Sequence, residues 1–113
     1  MLLWFFIRLT MKRNGNLTRN QILKSLKDRP EILRKFCVKR IGLFGSYATG
    51  KQTARSDIDF LVDFVEPTFD NFMGLSFHLE RLFKKKIDLI TEGSLSPYIK
   101  PYVDKQVHWH EVQ

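Results

Sequence analysis

The stretch IGLFGSYATGKQTARSDIDFLVDF, residues 41–64, contains the features that decide the fold. Two apolar segments with the length of β-strands lie at its ends, and a short polar connection separates them. Gly45-Ser46 ends the first segment, and Asp57-Ile58-Asp59 opens the second. We predict a strand over residues 38–44, a brief helix after Gly45-Ser46, and a central strand over residues 57–64 that is packed on both faces.

Helices and a further strand are predicted outside this stretch. Thr18 and Gln21 have the spacing of a capping box and mark the start of a helix. Pro30 either ends this helix or begins a second short one that reaches Phe36. The other predicted elements are a long helix over residues 69–83, a strand over residues 86–91, and a closing helix over residues 94–105. The expected fold class is therefore α/β (α+β), with a small mixed β-sheet of at least three strands flanked by helices.

The composition restricts the chain to one domain. Its 113 residues are 43% hydrophobic, which is sufficient for one core. A formal charge of +7 suits an anionic ligand or partner, which is a nucleotide, an acidic protein or a nucleic acid. The charge does not distinguish these three, and direct binding of a nucleic acid is the one we do not favour. The single cysteine, Cys37, cannot form an internal disulfide and predicts a reducing, cytoplasmic setting. No apolar run is long enough to predict a membrane span.

The first residues differ in character from the rest of the chain. Residues 1–7 are all apolar, and no charged residue precedes them as a secretory signal would require. We predict that residues 1–16 are an N-terminal extension, disordered or translated from a mis-assigned start, and that residues 17–113 form the domain. The alternative is that the apolar run is a partner-binding strand.

Three groups of polar residues are candidates for binding phosphate or a metal ion. Gly45 and Ser46 follow a strand and open a helix, where backbone N–H groups and a hydroxyl suit a phosphate. Asp57 and Asp59 are two apart on a strand and therefore point to one face, where a divalent cation would relieve their repulsion. Asp88 lies between apolar residues of a later strand, a costly place for an unpaired carboxylate. Each pattern is common in proteins that have no such site, and a bare Asp-x-Asp is more often solvated.

Taken together, these residues resemble the signature of the DNA polymerase β-like nucleotidyltransferases. The run Lys86 to Lys100 is also similar to the end of the minimal nucleotidyltransferases that occur as antitoxins beside HEPN-domain ribonuclease toxins. The resemblance implies the nucleotidyltransferase fold, two Mg²⁺ ions and ATP as substrate. It assigns the metal and the catalysis to Asp57, Asp59 and Asp88, and the phosphates to Gly45 and Ser46.

The resemblance also implies an activity and a partner. AMP would pass from ATP to a hydroxyl, with a tyrosine of a HEPN-type toxin as the expected acceptor, and the chain would act as its antitoxin. Two alternatives remain open, namely nucleotidyl transfer to a small molecule and inhibition of the partner by stoichiometric binding without catalysis. Many relatives carry Arg where this chain has Thr49, and Lys51 or Arg55 are candidates to replace that basic contact.

Two other polar clusters are given structural interpretations. His108 and His110 flank Trp109 near the C-terminus, where we predict a frayed end rather than a metal site. Lys84, Lys85 and Lys86 follow the long predicted helix and are interpreted as a solvated helix end, where the helix dipole favours positive charge; contact with a nucleic acid or an acidic partner is the alternative.

Overall fold

A four-stranded mixed sheet forms the centre of the computed structural model, which describes residues 17–112. The strands are β1 (Val38–Phe44), β2 (Ile58–Phe64), β3 (Ile87–Thr91) and β4 (His108–Glu111). Their order across the sheet is β3-β2-β1-β4. β1 runs antiparallel to both β2 and β4, whereas β2 and β3 are parallel. The predicted fold class, a small mixed sheet flanked by helices, is confirmed.

Two helices precede the sheet and the others connect its strands. The helical elements are α1 (Arg19–Lys27), α2 (Pro30–Lys35), α3 (Ser46–Thr49), α4 (Phe69–Phe83), a 3₁₀ turn (Glu92–Ser94) and α5 (Lys100–Gln106). A threonine side chain caps α1 (Thr18) and α4 (Thr68). The capping box before α1 is complete: the Gln21 amide donates to Thr18 Oγ1 at 3.2 Å, and the Thr18 amide donates to Gln21 Oε1 at 3.0 Å. None of the helices in residues 17–112 is long and apolar enough to cross a membrane.

The core is built around β2, which lies between β1 and β3. Its residues Ile58, Phe60, Leu61 and Val62 have no solvent exposure, so both faces of the strand are covered. The confirmed central position explains the long apolar run in this part of the sequence. Within residues 17–112 no polar or charged residue is fully buried, and Asp59 and Asp63 on this strand remain partly exposed.

The C-terminal segment corrects the prediction of a frayed end. Residues 108–111 form β4, whose Trp109 lies opposite Gly42 of β1. The guanidinium of Arg40 is 3.9 Å from the centre of the Trp109 ring and makes two hydrogen bonds, of 2.8 and 3.0 Å, to the carboxylate of Glu92. A cation over an indole ring is favourable. These contacts order a segment whose polar sequence has no clear strand pattern.

Two other predicted boundaries shift. The closing helix begins at Lys100 instead of Ser94, because a 3₁₀ turn and an extended Leu95 precede it. Asp57 lies just outside β2, which begins at Ile58. The predicted extension over residues 1–16 lies outside the described residues.

Gly42 allows β4 to approach β1 closely. A Cβ atom on this glycine would overlap the Val107 side chain and would lie 2.9 Å from Cε3 of Trp109. Both neighbours belong to the segment that follows α5. The missing side chain at residue 42 is therefore a condition for the fourth strand to pack.

We expect Gly42→Ala to lower the free energy of unfolding by about 1–3 kcal/mol, the usual cost of overpacking a well-packed site. Gly93→Ala is the matched control, since a Cβ there has no neighbour within 4 Å, and it should change stability by less than about 0.5 kcal/mol. Denaturant unfolding followed by circular dichroism measures both values. Equal stability of the two variants would contradict this role of Gly42.

Candidate active site

Asp59 and Asp88 occupy neighbouring positions on the two parallel strands. The register of β2 and β3 pairs Asp59 directly with Asp88, and both side chains are partly buried. The pKa of Asp59 is raised to about 6, chiefly by burial and then by the negative charge and hydrogen bond of Asp88 and the charge of Asp57. The fold therefore brings two of the three predicted acidic residues into direct electrostatic contact.

Asp57 is close to this pair but has a different partner. Its Oδ2 atom lies 3.9 Å from Nζ of Lys86, and its side chain is partly exposed. Within residues 17–112, no three Asp, Glu, His or Cys side chains are grouped as a metal-binding cluster. The assignment of Asp57, Asp59 and Asp88 as common metal ligands therefore stays a prediction.

The Gly45-Ser46 turn lies against Asp59, one member of this acidic pair. Phe44, the last residue of β1, is the register partner of Asp59, and Gly45 follows it with φ = 76°. A Cβ atom on Gly45 would collide with the Asp59 carboxylate. Glycine is thus required twice at this position, for its left-handed φ and for its lack of a side chain. Ser46 is the first residue of α3, as the sequence predicts.

Gln106 is a neighbour of this turn that the sequence did not suggest. The Gly45 amide donates to Gln106 Oε1 at 3.3 Å across a separation of 61 residues. Gln106 is the last residue of α5, so this helix contacts the turn directly. No sequence pattern links the two residues, because only the packing of α5 on β1 brings them together.

Lys85 and Lys86, which follow α4, contact the segment that contains Asp57. The prediction of a solvated helix end did not include these contacts. Lys85 Nζ donates to the carbonyl oxygens of Ala54 and Ser56 at 3.0 and 3.3 Å and thereby holds the connection that leads to Asp57. Thr49 donates its hydroxyl to the Gly45 carbonyl at 3.3 Å.

An open cleft of about 410 Å³ extends from the acidic pair. It is lined by residues 87–90 of β3, by Phe72 and Ser76 of α4, and by Phe44 and Asp59. Five of its eight lining residues are apolar, and Ser76, Asp59 and Asp88 supply the polar groups. A cleft of this size and lining is typical of a site for a small ligand or a single side chain.

Comparison with known proteins identifies close relatives. A family model described as "Nucleotidyltransferase domain" matches residues 19–109. A Methanocaldococcus jannaschii protein named "Putative protein adenylyltransferase MJ1379" is 41% identical over 97 residues, which cover 75% of this chain and 97% of that protein. The protein adenylyltransferase MntA of Thermococcus cleftensis is 40% identical over 78 residues, which cover 68% of this chain and 79% of that protein.

A solved structure has the same fold. The crystal structure of a toxin–antitoxin with AMP-PNP contains a chain that is 28% identical and superposes with a TM-score of 0.61. The match covers 82% of this chain and 72% of that one. The family resemblance predicted from Gly45, Ser46 and the three aspartates is thereby confirmed.

The raised pKa of Asp59 predicts a pH-dependent stability. Because the folded state disfavours the ionised form, Asp59 lowers the free energy of unfolding, and this effect is complete above pH 6. It decreases as the pH falls and is absent below 3.8, the ordinary pKa of an aspartate. We expect Asp59→Asn to raise the free energy of unfolding at pH 8, without metal, by about 1 kcal/mol after allowance for solvent screening. The gain should disappear near pH 4. Denaturant unfolding at several pH values measures it.

Asp70→Asn is the control for this prediction. Asp70 is exposed in the first turn of α4, where a negative charge is favourable, so its replacement should give no gain at any pH. An Asp59→Asn protein that is less stable than the parent at pH 8 would contradict the prediction that the ionised Asp59 carboxylate destabilises the fold through its burial and its repulsion from Asp88.

Proposed function

This chain belongs to the nucleotidyltransferase domain family, as a member of its minimal, antitoxin-like branch, and from that premise we propose that it transfers AMP from ATP to a tyrosine hydroxyl of a HEPN-type ribonuclease toxin. The observation that carries the proposal is the register pair Asp59–Asp88 beside the Gly45-Ser46 turn. It joins two carboxylates and a close-approaching backbone turn, which are the groups that phosphoryl transfer requires.

The residues at this site fit Mg²⁺. Mg²⁺ prefers carboxylate oxygens, and the pKa of Asp59 is raised by burial and by the adjacent carboxylate of Asp88, whose repulsion a cation relieves. We assign Asp57, Asp59 and Asp88 as its ligands, with two ions as the expected number. When bound, the metal neutralises charge on the triphosphate and lowers the pKa of the acceptor hydroxyl.

The residues of the chain have separate tasks in the proposed transfer. The Gly45 backbone and the Ser46 hydroxyl hold the β- and γ-phosphates of ATP. The acceptor oxygen forms a bond to the α-phosphorus, the bond from that phosphorus to the oxygen of the β-phosphate breaks, and pyrophosphate leaves. Asp88 accepts the proton of the acceptor hydroxyl. Gly45 keeps the phosphate chain next to Asp59 because nothing projects between them.

The proposed acceptor follows from the relatives. The relative from Thermococcus cleftensis is named a protein adenylyltransferase, and the similar crystal structure is a toxin–antitoxin with AMP-PNP, a non-hydrolysable analogue of ATP. Both support a protein as acceptor and ATP as donor. The resemblance of residues 86–100 to antitoxins paired with HEPN toxins supports the choice of partner.

Nucleotide binding provides the first test. We expect calorimetry to detect ATP binding in the presence of Mg²⁺ and at least about tenfold weaker binding when EDTA is present or when Asp57 is replaced by Asn, because the metal links the carboxylates to the triphosphate. Asp70→Asn, at an exposed position on α4, should bind as the parent does. Metal-independent binding that Asp57→Asn leaves unchanged would contradict the assigned ligands.

Covalent transfer provides the second test. Asp57→Asn together with Asp59→Asn removes two negative charges with little change of size, so transfer should fall by at least about a thousandfold while partner binding persists. Intact mass spectrometry of the co-expressed HEPN protein, with Asp70→Asn as the control antitoxin, measures the mass of each added adenylyl group.

The alternative functions predict other results. A double variant that neutralises the toxin as well as the parent does, with no added mass in either case, would establish a stoichiometric binder. Transfer that occurs only onto a small hydroxyl compound, and never onto the protein, would establish a small-molecule nucleotidyltransferase.

A further inference from the structure

We propose that the cleft between α4 and β3 receives the side chain that accepts AMP, and that Phe72 and Ser76 determine which side chain fits. This inference rests on the proposed function and assigns its acceptor subsite. The cleft of about 410 Å³ is continuous with Asp59 and Asp88, so a side chain seated in it ends at the proposed reacting groups.

The order of the strands determines which substrate each side of the site receives. Gly45 and Ser46 follow β1, Asp59 is on β2, and Asp88 is on β3 at the edge of the described sheet. The cleft is lined by four consecutive β3 residues and by neither residue of the Gly-Ser turn. In phosphoryl transfer the attacking and leaving oxygens lie on opposite sides of the phosphorus. With the leaving pyrophosphate on the β1 side, the acceptor must enter from the β3 side.

The lining of the cleft favours an aromatic hydroxyl. Five of its eight lining residues are apolar, namely Phe44, Phe72, Ile87, Leu89 and Ile90. Polar groups are supplied by Ser76 and by the carboxylates of Asp59 and Asp88. A phenol ring contacts apolar walls and carries its hydroxyl at the tip. A serine or threonine side chain would leave most of these walls without contact.

The surface beside the cleft suits a protein as the owner of this side chain. Phe69 precedes Phe72 by three residues on α4, which places both on one side of the helix, and Phe69 is 76% exposed. An exposed aromatic residue next to a binding cleft is the type of residue that protein interfaces bury. The acceptor chain would cover Phe69 while its tyrosine enters between Phe72 and β3.

The transfer then balances within the site. The phenolic oxygen forms the new bond to the α-phosphorus, and the bond to the β-phosphate oxygen breaks, releasing pyrophosphate. The phenolic proton goes to Asp88, whose carboxylate lines the cleft. No oxidant, reductant or further co-reactant is required.

Filling the cleft tests the assignment. Ser76→Trp should reduce the rate of AMP transfer to the co-expressed HEPN protein by roughly a hundredfold, because the acceptor hydroxyl no longer reaches the α-phosphorus. Ser76→Leu, which introduces a smaller side chain, should also reduce this rate. Mg²⁺-ATP affinity, measured by calorimetry, should stay at the parent value and shows that the variants are folded. Phe77→Trp is the matched control, since Phe77 is the next residue of α4, is 58% exposed and does not line the cleft.

The outcomes separate this inference from the proposed function. Parental transfer by both Ser76 variants would overturn the cleft assignment and leave the nucleotidyltransferase reaction intact. An equal loss of ATP affinity and of transfer would also overturn it, because the cleft would then hold the nucleotide. Absence of transfer by the parent chain itself would overturn the proposed function and this assignment with it.

Discussion

The parallel pairing of β2 with β3 is the constraint on which the rest of the site depends. It sets Asp59 opposite Asp88, and the apolar residues on both sides of Asp59 maintain this register. Ile58 and Phe60 are fully buried on the face opposite Asp59, so a slip of one residue would turn the carboxylate into that buried face. Hydrophobic burial thus holds together two groups that repel each other, and both the burial of Asp59 and the charge of Asp88 raise the pKa of Asp59.

The backbone of Gly45 completes the site at the neighbouring strand end. The space that a side chain would occupy is filled by the Asp59 carboxylate, so the turn and the acid are in direct contact. The amide of this glycine is hydrogen-bonded to Gln106, the last residue of α5, and β4 begins two residues later. The packing of the C-terminal helix and strand is therefore coupled physically to the turn that we assign to phosphate binding.

Positive charge is placed around the acidic residues by the end of α4. Lys85 binds two carbonyl oxygens of the connection before β2, and Lys86 lies 3.9 Å from a carboxylate oxygen of Asp57. These contacts position the acidic segment relative to β3 without burying any charge fully. Lys85 and Lys86 therefore do more than interact favourably with the dipole of α4, because both contact the segment that carries Asp57.

The sequence by itself determined the elements whose signals are local. The capping box at Thr18, the apolar run of β2 and the Gly-Ser turn each depend on residues close together in the chain, and they predicted α1, the central strand and the family of the protein. Tertiary structure alone decided the contacts between distant residues. β4 has a polar sequence and forms because Gly42 admits Trp109, and Gln106 meets Gly45 only when α5 packs on β1. The cleft between α4 and β3 likewise forms only when this helix packs beside this strand, and no local sequence pattern predicts that packing.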